Sequence, residues 1–301
     1  MRRIRIRIRL AAAAVALAAL PALAGCSPAH PAGNPPRAAV QRAAPSRAAA
    51  VPRPSHVVVV IFENKGAGRI IGSPRAPYLT ALARLGTTFS RSYAVTHPSE
   101  PNYLALFSGS TQGVTSDRCP VTFPHADNLG RQLLAAHHSF AGYSEGLPRA
   151  GYAGCTAGRY ARKHNPWVDF TTVPASANRT YAQFPADPAA LPRVSFVVPD
   201  LCHDMHDCPV ATGDAWARRH LAPYVHWARA HHSLLLVTFD EDDRSEGNRI
   251  ATFAVGQDVR RGTYAARIDH YTVLRTLEAM FGLRALGNAA HRPPITGIWT
   301  R

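Results

Sequence analysis

The chain has 301 residues, of which 46% are hydrophobic and 18% charged, and its formal net charge is +15. This composition excludes a disordered or fibrous chain, and the length suits one large α/β domain or two small ones; we expect one, because no internal linker interrupts it. The positive charge would attract anionic partners at long range, but it is equally typical of a soluble basic surface and predicts no specific nucleic-acid site.

Residues 1–25 are typical of an export signal. Five arginines lie within the first nine residues, and an alanine-rich apolar stretch follows that is too short to span a membrane comfortably. The stretch ends in Leu23-Ala24-Gly25-Cys26, which resembles the lipobox at which bacterial lipoproteins are cleaved and lipidated on the cysteine. We therefore expect an exported protein that is lipid-anchored to the outer face of the cell membrane through Cys26. Ordinary cleavage after Ala24 would instead give a secreted protein.

Residues 26–54 consist almost entirely of alanine, proline, arginine and serine. Such a composition cannot bury a hydrophobic core, so we expect a disordered, extended tether. The folded domain is predicted over residues 55–301.

Four cysteines follow Cys26, an even number that predicts two disulfides in an exported protein. Three pairings are possible. The short loop between Cys202 and Cys208, with a longer one between Cys119 and Cys155, favours this local pairing. A metal site built from cysteines is the alternative, but the spacing lacks the paired pattern of zinc ligands.

Along the predicted domain, apolar and β-branched runs alternate with segments of helical periodicity. Strands are predicted at 56–62, 194–198, 233–239 and 250–255, and helices at 78–85, from 103 onward and at 270–281. The first run is apolar from Val57 to Phe62, which is typical of a strand buried on both faces of a parallel sheet. The pattern predicts an α/β fold.

Three of the predicted strands end in acidic residues. Glu63 and Asn64 follow the first strand, Asp200 follows the second, and an acidic run at 240–243 follows the third. Taken singly, each acid is more typical of a turn or a helix cap. Because ligands of open α/β sheets bind beyond the carboxyl ends of the strands, we expect these three ends to meet at one edge.

A further group of potential ligands, Asp204, His206 and Asp207, lies between Cys202 and Cys208, where a disulfide would hold it in a small loop. Carboxylate, amide and imidazole groups together suit a divalent cation of intermediate hardness. The chain has 15 histidines, so such a grouping also arises by chance.

The segment HPSEPNY at 97–103 places Ser99 between two prolines. A serine on such a stiff turn, ahead of a helix whose N-terminal amides point back towards it, suits a nucleophile that attacks phosphorus. The alternative is that Ser99 only caps the helix while the prolines shape the loop. The sequence has no G-x-S-x-G motif, which disfavours an α/β-hydrolase esterase.

Together, these motifs resemble the bacterial phosphoesterase family, which includes secreted acid phosphatases and, more distantly, phosphatidylcholine-preferring phospholipases C. The resemblance runs from about residue 55 to residue 299 and rests on an ordered series: Glu63-Asn64, HPSEPNYLALFSG at 97–109, DMHDC at 204–208, TFDEDD at 238–243, DHYTVLRTLEAMFGL at 269–283 and PITGIW at 294–299. It implies the alkaline-phosphatase-like α/β fold, a single domain in which helices cover both faces of a central, mostly parallel sheet.

The resemblance also implies roles for individual residues. Ser99 would be the nucleophile and a metal ligand, and Asn102 would hold a phosphoryl oxygen. A first divalent ion would be bound by Glu63, Asn64, Asp240 and Glu241, while a second metal site or a general-acid group would draw on Asp204, His206, Asp207 and His270. The identity of the metal, and whether one or two ions bind, stay open. The sequence departs from the family pattern at Cys208, where many relatives have Gly, and at Asp200, where we expect Asn.

The implied function is that of an exported, metal-dependent phosphoesterase, namely an acid phosphatase that hydrolyses phosphate monoesters in two steps. Ser99 would attack the phosphate in line, a histidine would protonate the leaving alcohol, and water would hydrolyse the phosphoserine. His206 and His97 are the candidate acids, because imidazole can donate a proton near mildly acidic pH.

Two alternatives stay open. A phospholipase C or other phosphodiesterase would use the same site, and a lipid-tethered enzyme would lie beside phosphoinositides and other phospholipids. A surface lipoprotein without enzymatic activity would instead bind anionic polymers through its arginines, with steep salt dependence, but it leaves the ordered acid-ended strands unexplained. The sequence predicts no oligomeric state.

Overall fold

An eight-stranded sheet forms the centre of the computed structural model, which describes residues 51–300. From one edge of the sheet to the other, the strands are β11 (Gly262–Tyr264), β2 (Thr87–Phe89), β10 (Phe253–Gly256), β9 (Leu234–Phe239), β1 (Val57–Phe62), β8 (Val194–Val198), β4 (Phe140–Ser144) and β7 (Asn178–Thr180). The predicted signal peptide, Cys26 and most of the predicted tether lie outside the described residues.

Parallel pairing dominates the sheet, as predicted. Strands β9, β1, β8, β4 and β7 run parallel to one another, and β1 lies between β8 and β9. The predicted strand at 250–255 is β10, which begins later, at Phe253, and runs antiparallel to both β9 and β2. The sheet is therefore mixed at one side and fully parallel around β1.

Helices cover both faces of the sheet. They are α1 (Ala67–Ile70), α2 (Pro77–Ala83), α3 (Ser99–Ser108), α4 (Leu129–Ala135), α5 (Val210–Ala228) and α6 (His270–Met280). All six residues of β1 are buried, and alternate side chains enter two separate cores. Val57, Val59 and Ile61 pack in a core shared with α3, α4 and α6, whereas Val58 and Val60 pack in a core shared with α2 and α5. A strand that is apolar at every position is thus buried on both sides.

Short elements complete the described part of the chain. Two further strand pairs are β3 (Ser92–Tyr93) with β12 (Ile268–Asp269), and β5 (Thr156–Ala157) with β6 (Tyr160–Ala161). Short 3₁₀ helices occur at Arg162–His164, Pro166–Val168, Ala175–Ala177, Tyr181–Gln183, Pro188–Ala190 and Gly287–His291. None of the described helices combines the length and the apolar character that crossing a membrane requires.

Both predicted disulfides are present. Cys119 pairs with Cys155 and Cys202 pairs with Cys208, so the local pairing is confirmed. Disulfides of this kind are typical of proteins that fold outside the reducing cytosol.

Helix α3 begins at Ser99, four residues before the predicted start. Pro101 therefore lies inside its first turn, where a missing backbone N–H costs nothing, because the first N–H groups of a helix have no partner within it. The peptide bond between His97 and Pro98 is cis. Ser99 is consequently the first residue of a buried helix rather than part of a free turn.

Glu278 on α6 is fully buried, and its Oε1 accepts a hydrogen bond from the backbone N–H of Leu286 at 2.8 Å. Burial raises the pKa of this carboxyl from 4.5 to about 7, although the hydrogen bond from Leu286 and the charge of Arg275 oppose the shift. Between these two pKa values, Glu278 is protonated in the folded protein and ionised in the unfolded chain. The stability supplied by this proton is complete below the unfolded pKa and is lost as the pH rises through the folded pKa.

We expect Glu278→Gln to remove this part of the pH dependence, because the amide keeps an acceptor for Leu286 but has no proton to release. The melting temperature of the wild type should fall relative to that of the variant, by several degrees, as the pH rises from about 5 to about 7.5. Asp187→Asn, an equal charge change at an exposed position, should follow the wild-type profile. Parallel profiles for wild type and Glu278→Gln would contradict the argument.

Candidate active site

The ends of three adjacent parallel strands form the floor of the site. Glu63 follows β1, Asp240 follows β9, and Asp200 lies two residues beyond β8. The backbone N–H of Asn64 donates to Asp240 Oδ1 at 2.9 Å, and that of Glu63 donates to the carbonyl of Asp204 at 2.8 Å. The predicted convergence of acid-ended strands is thus present for Glu63 and Asp240.

Glu63 is the central carboxylate of this floor and is fully buried. Its Oε2 accepts hydrogen bonds from Ser99 Oγ at 3.2 Å and from Asn64 Nδ2 at 3.0 Å. Its Oε1 accepts a hydrogen bond from the hydroxyl of Tyr103, one turn along α3 from Ser99. The predicted nucleophile therefore lies beside two of the predicted metal ligands.

Asp204 and His206 reach the same place from the disulfide-closed loop. Asp204 Oδ1 accepts the backbone N–H of His206 at 2.7 Å, and Asp204 Oδ2 lies 3.4 Å from His164 Nδ1. His164 Nε2 in turn lies 3.3 Å from Glu63 Oε1. One ligand atom from each of Glu63, His164 and His206 can be chosen so that all three lie within 4.8 Å of one another. These three side chains can bind a single ion.

The carboxylates at this floor repel one another. Burial, followed by the charges of Asp240 and Asp204, raises the pKa of Glu63 well above its ordinary value. Burial also raises the pKa of Asp204. Within the described residues, Oδ2 of Asp204 and Oδ2 of Asp240 are buried and accept no hydrogen bond. The nearby cation Lys163 is bound to Asp117 at 2.8 Å.

Buried, unpaired carboxylate oxygens are costly unless a cation balances them. The donors here are carboxylate oxygens, an amide oxygen and imidazole nitrogens, which suit a divalent ion of intermediate hardness. The residues present therefore fit a divalent metal.

Two buried histidines are suited to act as neutral ligands. Burial, reinforced by the charge of Lys163, lowers the pKa of His164 to about 3. Burial also lowers the pKa of His270. His270 Nε2 lies 2.7 Å from the backbone carbonyl of Asp240, so this nitrogen carries the proton, because a carbonyl only accepts. His270 Nδ1 is left with a lone pair and has no hydrogen-bond partner within residues 51–300.

A second group of predicted residues forms a separate cluster around Glu241. Glu241 Oε2 lies 2.9 Å from His97 Nδ1 and accepts from Asn102 Nδ2 at 3.3 Å, while His97 Nε2 lies 3.3 Å from Asp242 Oδ1. Burial, then the charge of Asp240, raises the pKa of Glu241 to about 8. Glu241 thus faces His97 and Asn102, whereas Asp240 faces Asn64.

Asn102 fastens the segment before Ser99. Its Oδ1 accepts the backbone N–H groups of Val95 and Thr96, at 2.9 and 3.0 Å, and its Nδ2 donates to the carbonyls of Thr96 and Pro98. A phosphoryl oxygen bound by this amide would have to displace one of those acceptors.

Two of the predicted residues lie at the margin. Asp207 is more than half exposed, and its Oδ1 lies 2.7 Å from Nδ1 of His206, which is 30% exposed. Asp200 Oδ1 accepts the backbone N–H groups of Cys202 and His203, each at 2.9 Å, so Asp200 shapes the start of the disulfide loop.

Sequence reasoning missed His164 and the hydroxyl of Tyr103. His164 lies in a 3₁₀ turn that follows no predicted strand, and no spacing in the sequence links it to the other ligands. Tyr103 is part of the quoted 97–109 motif, but the sequence predicts only that it begins a helix. In the structure the rings of Tyr103 and His164 stack, with centroids 5.2 Å apart.

The chain is similar to known proteins over most of its length. The profile of the Phosphoesterase family matches residues 72–284. A phosphatidylinositol-3-phosphatase of Mycobacterium tuberculosis is 49% identical over 254 residues, covering 84% of this chain and 85% of that protein. A phosphate-repressible acid phosphatase of Penicillium chrysogenum is 32% identical over 227 residues; these are 69% of this chain but 55% of the fungal protein, so the chain spans about half of that relative.

Solved structures support the fold class. A protein of the alkaline phosphatase superfamily from Vibrio parahaemolyticus superposes with a TM-score of 0.56 at 15% identity, over 81% of this chain and 71% of that one. This likeness confirms the predicted alkaline-phosphatase-like α/β fold.

Asp240→Asn should affect stability with opposite signs in the absence and presence of a divalent cation. Without the cation, the variant should melt at the same temperature as the wild type or higher, because one of the repelling charges is gone and the amide oxygen can still accept from Asn64. When the cation is added, the free energy of unfolding of the wild type should rise by about 2.7 kcal/mol at a cation concentration of roughly 100 times its Kd. That of the variant should rise less. Thermal unfolding with chelator and then with Mg²⁺, Mn²⁺ or Ca²⁺ measures both.

The exposed Asp187→Asn is the matched control and should respond to each cation as the wild type does. An equal gain in melting temperature for wild type and Asp240→Asn, with every cation tested, would remove Asp240 from the ligand set.

Proposed function

The chain belongs to the Phosphoesterase family and hydrolyses phosphoric ester bonds, and we propose that it acts on phosphate monoesters through a phosphoserine formed on Ser99. The observation that carries this proposal is the hydrogen bond of 3.2 Å from Ser99 Oγ to Glu63 Oε2, at the edge where the strand ends and their carboxylates meet. Some of the relatives are named as acid phosphatases, and these names support a monoester rather than a diester as the substrate of this chain.

Ser99 is positioned from three sides. It is the first residue of α3, Asn102 ties down the segment that precedes it, and Glu63 fixes its hydroxyl. In the first step, Ser99 Oγ attacks phosphorus while the bond to the leaving oxygen breaks, and Glu63 Oε2 is the acceptor within reach of the hydroxyl proton. In the second step, water attacks phosphorus while the bond to Ser99 Oγ breaks. Ser99 Oγ takes back the proton from Glu63, and one proton of the water passes to the imidazole that protonated the leaving alcohol.

The residues that would hold a divalent ion are the predicted ligands at the floor together with His164: Glu63, Asn64, Ser99, Asp204, Asp240, His270 and His164. His206 is left out of this set, because Asp207 occupies its Nδ1 and the remaining nitrogen cannot both bind an ion and donate a proton. When bound there, such an ion lowers the pKa of a nearby hydroxyl and balances the charge that develops on the phosphoryl oxygens. His164 and His270 are supplied as neutral ligands, because burial keeps both imidazoles unprotonated.

His206 is the candidate that can best protonate the leaving oxygen. Its ring is 30% exposed, lies among the site carboxylates, and is oriented by Asp207 at 2.7 Å. His97 is instead held between Glu241 and Asp242, at 2.9 and 3.3 Å. We therefore assign proton donation to His206 and a positioning role to His97.

Ser99→Ala should lower kcat on p-nitrophenyl phosphate by about 10³-fold or more, since it removes the attacking oxygen. Ser108→Ala, which deletes a buried hydroxyl at the other end of the same helix, should retain most of the activity. Phosphate release by both variants, with bis-p-nitrophenyl phosphate assayed beside the monoester, provides the measurement. Substantial turnover by Ser99→Ala would show that Ser99 is not the nucleophile. A preference of the wild type for the diester would contradict the assignment of monoesters as substrates.

The loss of rate on replacing the general acid should depend on the leaving group of the ester. His206→Asn should slow an alkyl phosphate by about 10²-fold or more, because an alkoxide needs a proton to leave, and should slow p-nitrophenyl phosphate much less. His97→Asn should slow the two esters by the same factor. Comparing kcat for both esters in both variants tests the assignment, and an equal loss on the two esters in His206→Asn would exclude His206 as the acid.

The natural substrate that we propose is a phosphoinositide monoester. Support comes from the relative that is 49% identical and is named as a phosphatidylinositol-3-phosphatase, of which this chain covers 85%. Other phospholipids that carry a phosphate monoester have the same reacting group.

We also propose that the protein is exported and anchored to the outer face of the membrane through a lipid on Cys26. The two disulfides support export, because they persist in oxidising compartments. The lipobox-like Leu23-Ala24-Gly25-Cys26 supports the anchor. A membrane-anchored enzyme would meet lipid head groups directly.

A further inference from the structure

We propose that a basic cleft beside the active site binds a second anionic group of the substrate, separate from the phosphate that is hydrolysed. The cleft has a volume of about 450 Å³, and its lining includes Lys65, Arg69, Arg75, Pro209, Val210 and Asp243. This inference rests on the proposed phosphatase function and extends it to the part of the substrate that does not react.

The cleft is built from the same segments as the active site. Lys65 directly follows Asn64, and its Nζ donates to the carbonyl of Met205 at 2.9 Å, between Asp204 and His206. Pro209 follows the disulfide-closed loop, and Asp243 ends the acidic run that begins at Asp240. The cleft therefore borders the segments that carry Asn64, Asp204 and His206.

The charge of the lining favours an anion. The lining contains three cationic side chains and one carboxylate. That carboxylate, Asp243, is 3.2 Å from Arg69 Nε. Arg75 is exposed, and within the described residues its guanidinium has no hydrogen-bond or ion-pair partner. An exposed pair such as Arg69 with Asp243 is weak, so Arg69 can contact an incoming phosphate as well. Guanidinium groups bind phosphate oxygens with two parallel hydrogen bonds.

The wall that carries Arg75 is fixed in place. Thr80 Oγ1 donates to the carbonyl of Ile70 at 2.9 Å and accepts the backbone N–H of Gly72 at 3.0 Å. Asp214 on α5 accepts the backbone N–H groups of Tyr78 and Leu79, at 3.1 and 2.8 Å. Because these bonds hold both ends of the segment between α1 and α2, its backbone needs little ordering on binding.

A phosphodiester on the same molecule as the reacting monoester is the occupant that fits these features. A recess of this size takes one head group, whereas a nucleic acid would need a longer basic track and a membrane surface would need a protruding one. In a phosphoinositide, the monoester would lie at Ser99 and the diester that links the head group to the lipid would lie in the basic cleft.

Two water-soluble substrates test this without a membrane. Glycerophosphoinositol 3-phosphate carries the monoester and a phosphodiester, whereas inositol 3-phosphate carries the monoester alone. The wild type should have a kcat/KM at least about tenfold higher for the first, chiefly through KM. Arg69→Gln combined with Arg75→Gln should reduce this ratio to about twofold or less. Arg229→Gln should keep the wild-type ratio, because it lies beyond the far end of α5, about 28 Å along the helix from Val210.

A ratio near one in the wild type, or an unchanged ratio in the double variant, would overturn the proposal. Vesicles that contain phosphatidylinositol 3-phosphate add a third arm. If the double variant loses turnover only on vesicles and keeps its soluble ratio, the cleft contacts the membrane and the proposal is wrong.

Binding by Ser99→Ala separates this inference from the proposed function. Calorimetric titration of Ser99→Ala with the two soluble compounds should show the same preference of about tenfold, and its loss when Arg69 and Arg75 are also replaced. If the wild type releases no phosphate but this binding preference is present, the phosphatase proposal fails and the cleft stands. If phosphate is released but neither assay shows a preference, the proposal for the cleft is wrong and the phosphatase proposal stands.

Discussion

Glu63, Asp204 and Asp240 bring three carboxylates together in a space that excludes water, and the rest of the site is arranged around the resulting repulsion. The parallel pairing of β9 and β1 brings Asp240 and Glu63 to the same edge of the sheet, and the disulfide-closed loop adds Asp204. The repulsion shows in Glu63, whose pKa is raised by burial first and by Asp240 and Asp204 next. A small, doubly charged cation bound among these groups would neutralise their negative charge.

The side chains that contact the carboxylates are neutral, so they do not balance the negative charge. Tyr103 donates to Glu63, and His164 and His270 are kept unprotonated by burial. Lys163, whose charge acts on Glu63, is bound to Asp117. The chain therefore supplies hydrogen-bond donors and lone pairs at the floor of the site, while its positive charges stand at the periphery. Substrate phosphate and cation can both be accommodated there without an internal salt bridge to break.

The sequence was sufficient for features that depend on regular periodicity. A strand buried on both faces must be apolar at every position, so β1 could be recognised, and the side chains at its carboxyl end followed. Glu241 shows the limit of this reasoning. Adjacent residues of an extended chain point in opposite directions, so Asp240 faces Asn64 while Glu241 faces His97. His164 was beyond prediction, because it reaches the site from an irregular turn whose path is set by tertiary packing alone.

The disulfide between Cys202 and Cys208 closes a loop that supplies Asp204 and His206 to the site. Without that covalent closure, holding the two side chains beside Glu63 would require the chain to pay the loop-ordering entropy from weaker contacts. Oxidation of two thiols therefore coincides with completion of the catalytic apparatus. A chain in which Cys202 and Cys208 are reduced would hold Asp204 and His206 less firmly beside Glu63, so the order of this part of the site depends on the redox state of its surroundings.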